Sequence, residues 1–400
     1  MSVLRMPPRR HSVRGRGHPV VRTLSYVVAA VLGFGGVGGY YYTASALGHL
    51  TTVDNEPLLG AERPAVPVVP KDSSKGEAIN ILLMGSDSRA GANAIIGGET
   101  GGMRNDTTIV MHISADRSRI ELISIPRDSW VRIPDCQLFD GSTVKGWTTK
   151  FNVAFSNGGK NGDPAEAAAC VQKSVETLTG IYIHYYAVVD FVGFSAMIDA
   201  LDGVPMCVPG RIVSAKAGLD LQPGPQIMYG EAALAWARLR TAEVGKEWVE
   251  GSDIQRIARQ QELLAHTAEV ALSKNLFTNQ GQLRDFITAG ADSMTTSPRL
   301  ADPTFLIGLA FSLRKISSDN IVFATVPNKY TPDFLNVVWT PEANQMFDDI
   351  INDRVIAGVS VSDQSFAAPV PTPTGTGSLT PVGGAPTTAP GIDLLGACAP

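Results

Sequence analysis

From Leu24 to Tyr42 the chain reads LSYVVAAVLGFGGVGGYYY, nineteen residues without a charge. At about 1.5 Å rise per residue a helix of this length nearly spans a hydrocarbon core of about 30 Å, and the terminal tyrosines suit the membrane interface. Arg5, Arg9, Arg10, Arg14, Arg16 and Arg22 precede it with no acidic residue among them. Positive flanks stay inside, so residues 1–22 read as a cytoplasmic segment, 23–45 as a transmembrane helix, and everything beyond as exported. A cleaved signal peptide is the other reading, because Ala44-Ser45-Ala46 has the small-x-small form of a cleavage site. The apolar run exceeds the roughly 7 to 15 residues of a signal sequence, which favours a single-pass anchor in the cell membrane. Either way the globular part folds outside.

The 400 residues hold 33 Lys and Arg against 38 Asp and Glu, with 44% hydrophobic and 18% charged residues. That excludes a wholly disordered chain. Without the six leading arginines the balance is 27 basic to 38 acidic residues, so the exported part is acidic overall and is not a nucleic-acid binder by charge. Residues 46–77 are rich in Pro and acidic turns and read as an extended linker. Residues 358–400, in which Pro, Thr, Gly, Ala and Ser dominate, read as a disordered tail. One domain, 78–357, lies between them.

Within it INILLMG, DTTIVMHIS and RIELISIPRDSWVRIP are three successive strand-like runs bounded by Gly, Pro or Asp. Pro164 to Leu178 has helical composition, with Asp163 as its N-cap and Gly180 as its stop. IHYYAVVDF reads as a strand, VGFSAMIDALDGV as a short helix closed at Gly203, VPMCVPG as a strand, and Gly230–Arg240 and Asp253–Lys274 as two helices. This alternation predicts an α/β domain with helices on both faces of its sheet. Four cysteines allow three complete pairings. In an exported domain Cys136 with Cys170 is the favoured bridge, buried free thiols being the alternative. No CxxC or Cys/His cluster suggests zinc.

Charged residues concentrate where strands end. Asp87 and Arg89 lie in GSDSR after the first strand, Arg104 and Asp106 in RNDTT before the second, and Arg127 in IPRDSW after the third. Two carboxylates on one rim offer hard oxygens to Mg²⁺ or Mn²⁺, which share their shell with phosphate. Surrounding guanidinium groups offer paired donors to phosphate oxygens. Solvated turn residues with surface ion pairs are the plain alternative at any one of these sites. Arg238 and Arg240 in WARLRT diverge on a regular helix but face one site if the helix ends there. Arg256 and Gln260 share a face of the next helix, and Lys150 in KFNVAF adds a cation.

These segments, in this order over residues 79–275, resemble the LytR-CpsA-Psr family of bacterial envelope proteins: INILLMGSDSR, RNDTTIVMHIS, ISIPRDSWVRIP, KFNVAF, VVDFVGFSAMIDALDGV, GEAALAWARLRT and DIQRIARQQELL. The resemblance implies a three-layer α/β/α domain with a mixed central sheet. It implies transfer of a glycopolymer from a polyprenyl pyrophosphate carrier to peptidoglycan as a phosphodiester, with Mg²⁺. By motif position Asp87 and Asp106 correspond to metal carboxylates. Arg104, Arg127, Arg238 and Arg240 correspond to a pyrophosphate clamp, and Arg89, Lys150, Arg256 and Gln260 to further contacts, with Asp87 a candidate base. Phe191 and Phe194 are candidate lining for the lipid chain, ordinary core being the alternative. The Thr- and Pro-rich tail and exported cysteines fit an actinobacterial envelope with arabinogalactan as the polymer. A polyprenyl-pyrophosphate phosphatase and a non-catalytic envelope regulator are the competing readings.

Overall fold

In β2 (Ile79–Ser86), β3 (Asn105–Ile113) and β4 (Ile120–Ile125), apolar residues occupy both alternating faces. Strands of that composition are stable only with both faces covered. The computed structural model describes residues 48, 50–66, 76–87, 103–208, 210–215, 217–239, 241–244, 247–250, 253–274 and 280–356. With β1 (Thr51–Thr52), β5 (Tyr185–Asp190), β6 (Met294–Thr296) and β7 (Ile321–Thr325), these strands form a seven-stranded mixed sheet of order β1-β6-β5-β2-β3-β4-β7. Pairs β2–β3, β3–β4 and β5–β6 are antiparallel, whereas β2–β5, β4–β7 and β1–β6 are parallel.

Each face of the sheet carries its own core. Leu82, Met84, Val110, Ile123, Tyr186 and Val188 point to one side and pack on α1 (Val153–Gly158), α2 (Pro164–Thr179) and, further along the chain, α8 (Glu342–Ile351). Ile79, Ile81, Ile109, Ile113 and Phe323 point to the other and meet Leu264 and Leu272 of α5 (Asp253–Ser273) and Phe305 and Leu309 of α7 (Pro303–Ser312). This is the helix-on-both-faces α/β architecture that the alternation predicts. A further core joins Ile198 of α3 (Phe191–Ala200), Ala233 and Trp236 of α4 (Gly230–Arg238) and Leu263 of α5 to short strands at Val204–Val208, Ile212–Ser214 and Leu219–Leu221. Helix α6 (Gln280–Ala291) packs on α3.

The expected caps are present: Asp163 accepts the Ala165 N–H at 2.7 Å, and Gly180 closes α2 with φ +72°. A disulfide joins Cys136 to Cys170, tying the Cys136–Gln137 and Thr143–Val144 hairpin to α2. Cys207 is also disulfide-bonded.

Two expectations need correction. The third strand-like run is two strands, because Pro126 has no N–H to continue the ladder; Trp130–Arg132 pairs instead with Thr148–Lys150. Residues 51–66 are not an extended linker. Thr51–Thr52 pair with Thr295–Thr296, Leu58 and Leu59 are buried against Ala169, and Arg63 bonds Glu176 at 2.6 Å. Their partners lie more than a hundred residues away, so no local periodicity marks them. The apolar run 24–42, Arg89, Arg240, Cys398 and the tail lie outside the described residues, among which no helix is long and apolar enough to cross a membrane.

Candidate active site

Strand register places the charged residues. Strands β2, β4, β5 and β7 end at the edge where β3 begins, so their C-terminal residues gather there, the usual binding edge of an α/β sheet. Asp87 directly follows β2, is 7% exposed, and forms a closed pair with Arg104: the Asp87 N–H donates to the Arg104 carbonyl and the Arg104 N–H to Asp87 Oδ1, both at 2.9 Å. Ile125 of β4 pairs with Thr108 of β3, so continuing the antiparallel register sets Arg127 opposite Asp106. The Arg127 guanidinium reaches Asp106 Oδ1 at 2.6 Å.

A bulge sharpens this placement. Gly85 pairs with Thr107 but Ser86 pairs with Asn105, leaving Asp106 as the extra residue of β3. Bulges turn a side chain out of the ladder's alternation. Asp106 is turned toward two arginines: Arg256, whose side chain is 3% exposed, lies 3.6 Å from Asp106 Oδ1 and also donates to the Asp106 carbonyl at 3.3 Å.

Helices α4 and α5 bring the remaining cations. Phe191 follows Asp190, which pairs with Ser86, and the Arg238 guanidinium lies 4.3 Å above the Phe191 ring. Helix α4 ends at Arg238, and Leu239 is extended with ψ 122°. The last carbonyls of a helix lack internal donors. Here α5 supplies them: Gln260 donates to the Ala237 carbonyl at 3.1 Å and Arg259 to that of Leu239. Burial, together with the charge of Arg256, lowers the pKa of Arg259 from its ordinary value. Lys150 sits on the adjoining short sheet, 2.9 Å from Asp128 Oδ1.

The fold therefore gathers Asp87, Arg104, Asp106, Arg127, Arg238, Arg256 and Gln260 at one edge, with Lys150 beside it. Gln260 contacts backbone here and acts on the site by fixing the end of α4. Phe191 lies under a guanidinium and Phe194 packs against the α3–α4 core, so the structure gives both rings packing roles. The sequence places Asp128 beside Arg127, and Arg259 three residues after Arg256, without giving either a role; the structure uses Asp128 to anchor Lys150 and Arg259 to hold the Leu239 carbonyl. Asp87 and Asp106 are carboxylates of the kind Mg²⁺ takes one or two of beside phosphate, and the Oδ1 atom of each also accepts from an arginine. Among the described residues no group of three or more His, Cys, Asp and Glu forms a cage for another metal.

A model of the LytR_cpsA_psr family matches residues 47–351. The cell wall biosynthesis protein LcpA of Corynebacterium glutamicum is 27% identical over 394 residues, covering 91% of this chain and 72% of that one. The polyisoprenyl-teichoic acid–peptidoglycan teichoic acid transferase TagU of Halalkalibacterium halodurans is 25% identical over 265 residues, covering 66% and 75%. Among solved structures, the LytR-Csp2A-Psr enzyme from Actinomyces oris superposes with a TM-score of 0.51 at 18% identity over 75% of this chain and 95% of that one, a likeness of fold.

Proposed function

Because the chain belongs to the LytR-CpsA-Psr family, we propose that it is a membrane-anchored phosphotransferase attaching a cell-wall glycopolymer to peptidoglycan. The donor is a polyprenyl-pyrophosphate-linked glycan, arabinogalactan in this reading, and the product is a phosphodiester. The observation that carries the reading is the sheet edge where the Arg127 and Arg256 guanidinium groups meet the Asp106 carboxylate, with Asp87 and Arg104 joined through backbone N–H groups and Arg238 close by over Phe191. TagU, by its name, transfers teichoic acid from a polyisoprenyl carrier to peptidoglycan, and LcpA, by its name, serves cell wall biosynthesis; both support the reaction class.

Arg104, Arg127, Arg238 and Arg240 hold the pyrophosphate oxygens, with Lys150 and Arg89 as further contacts to the donor. Asp87 and Asp106 would hold Mg²⁺, which when bound neutralises charge on those oxygens. A peptidoglycan hydroxyl attacks the phosphorus that bears the glycan; the new P–O bond forms as the P–O bond to polyprenyl phosphate breaks. Asp87 is the candidate acceptor of the hydroxyl proton. Asp106 orients Arg127 and Arg256, so the clamp is organised before substrate arrives. The apolar run 24–42 supports an anchor with residues 1–22 in the cytoplasm, and the domain boundary near residue 357 and the tail beyond it remain part of the same proposal.

The test is to incubate the full chain with a polyprenyl-pyrophosphate-linked glycan and Mg²⁺, with and without peptidoglycan oligomers. Glycan appearing on peptidoglycan, and lost in Asp106→Ala, is the expected result. Phosphate release without transfer would make the protein a phosphatase, and inertness of the wild type would leave a regulator.

A further inference from the structure

Scattered exposed apolar residues are ordinary on a protein surface. Beside the candidate site, however, exposed aromatic side chains are grouped and tied to its backbone. The hairpin of Asn328–Tyr330 and Val337–Trp339 presents Tyr330, Phe334 and Leu335 at 36%, 75% and 66% exposure, and Trp130 stands nearby at 47%. Its base is fixed to the segment that carries Arg127. The Val337 N–H donates to the Asp128 carbonyl at 3.1 Å, Val337 bridges Ser129, and the Trp339 indole N–H donates to Ser129 Oγ at 2.9 Å.

Three features give this surface a chemistry. Trp130 is the cross-strand partner of Lys150, which puts their side chains on one face. The Lys150 charge also reaches Asp333 at the hairpin tip. Asp333 is held below the usual carboxylate range first by the Thr331 hydroxyl, then by the Leu335 N–H, and further by that lysine. Finally, Phe334 has φ +56°, a left-handed conformation in which a glycine or asparagine is at ease and a bulky residue is strained. At 75% exposure the Phe334 ring gives the fold little burial in return for that conformation. Its ring stands 5.9 Å from that of Tyr330.

We propose that this hairpin and Trp130 form a saccharide-binding platform that seats the acceptor glycan strand beside the transfer centre; the proposal rests on the phosphotransferase reading. A pyranose ring has an apolar C–H face that lies flat on an aromatic ring and a rim of hydroxyls that donate to a carboxylate. Phe334, Tyr330 and Trp130 supply the first, and Asp333 the second. Insertion of the same tip into a bilayer would carry the ionised Asp333 into hydrocarbon along with its neighbour Phe334, which the placement of the charge opposes.

The experiment is calorimetric titration of the full chain, in detergent, with a β-1,4-linked tetramer of N-acetylglucosamine. The wild type binds it. Phe334→Gly and Trp130→Ala bind roughly tenfold more weakly, the scale of one lost stacking contact, whereas Phe334→Tyr binds like wild type. Glycine suits the left-handed backbone, so Phe334→Gly melts no lower than wild type and its weak binding is not unfolding. Equal binding by wild type and Phe334→Gly, or no binding by wild type, overturns the platform. So does quenching of the added tryptophan in Phe334→Trp when that protein is reconstituted into brominated phosphatidylcholine vesicles, which would place the tip in lipid. Saccharide binding by a wild type that transfers no glycan keeps the platform and removes the phosphotransferase. Transfer with an unchanged acceptor KM in Phe334→Gly does the reverse.

Discussion

At the scale of single residues, one carboxylate oxygen bridges two cations. Asp106 Oδ1 sits 2.6 Å from Arg127 and 3.6 Å from Arg256, two guanidinium groups that would otherwise repel, and Asp128 adds a second carboxylate 3.6 Å from Arg127. Arg127→Lys keeps the charge but loses the planar fork. Transfer by this variant should fall by about 10²- to 10³-fold, the loss measured when one fixed donor is taken from a developing charge; initial rates of glycan transfer check it. A second prediction concerns pH. His184 Nδ1 accepts the Asn80 N–H at 3.0 Å, and burial, aided by the charge of Arg63, lowers its pKa from 6.5 to about 4. The unfolded chain therefore binds a proton between those values that the folded protein refuses, so stability is complete above pH 6.5 and falls as pH drops toward 4. The shift alone corresponds to about 3 kcal/mol, and solvent screening of a partly exposed ring reduces the expected loss to about 2 kcal/mol. Melting curves across that window should show it, and His184→Asn, which keeps an acceptor without titrating, should flatten it.

At the scale of elements, position comes from how helices and strands end. The bulge in β3 aims Asp106, and α5 closes the carbonyl end of α4, from which Arg238 projects. The start of α4 is fixed as firmly: Gly230 donates to Asp199 at 2.8 Å, and a Cβ there would collide with the Ser195 carbonyl of α3. A small residue is thus required where two helices touch. The Cys136–Cys170 bridge acts on the other side of the sheet, closing a loop of 34 residues and holding the hairpin against α2. Replacing both cysteines by alanine should destabilise the protein by about 2–4 kcal/mol through the freed unfolded chain. Urea unfolding of the double variant against wild type measures this, and leaves the disulfide of Cys207 untouched.

At the scale of the molecule, the segment ahead of β2 is part of the domain. Arg63 and Glu176 have side chains 11% and 3% exposed, and their ion pair joins the first described residues to α2. Arg63→Ala strands a buried carboxylate, and the expected cost is about 3 kcal/mol, read as a lower melting temperature of the full chain in detergent. Much of this architecture was legible in advance. The double-faced strands, the Asp163 cap and the Gly180 stop rest on local chemistry, and the match of the LytR_cpsA_psr model to residues 47–351 bears out the family; the helix expected over 230–240 instead ends at Arg238, where contacts from α5 close it. The linker reading failed for residues 51–66 because their contacts are with residues distant in sequence.

The sequence by itself determined the strand and helix types, the family, and which arginines and aspartates stand at strand ends, since these follow from periodicity, caps and short motifs. Only the tertiary structure decided which of those charges meet. Register set Arg127 across from Asp106, the bulge turned Asp106 toward Arg256, and the crossing of α4 and α5 turned Gln260 into a support for the α4 end. Such pairings join residues separated by 21 to 150 positions. Local physical chemistry shapes each partner, but their meeting depends on how the sheet and both helical layers pack.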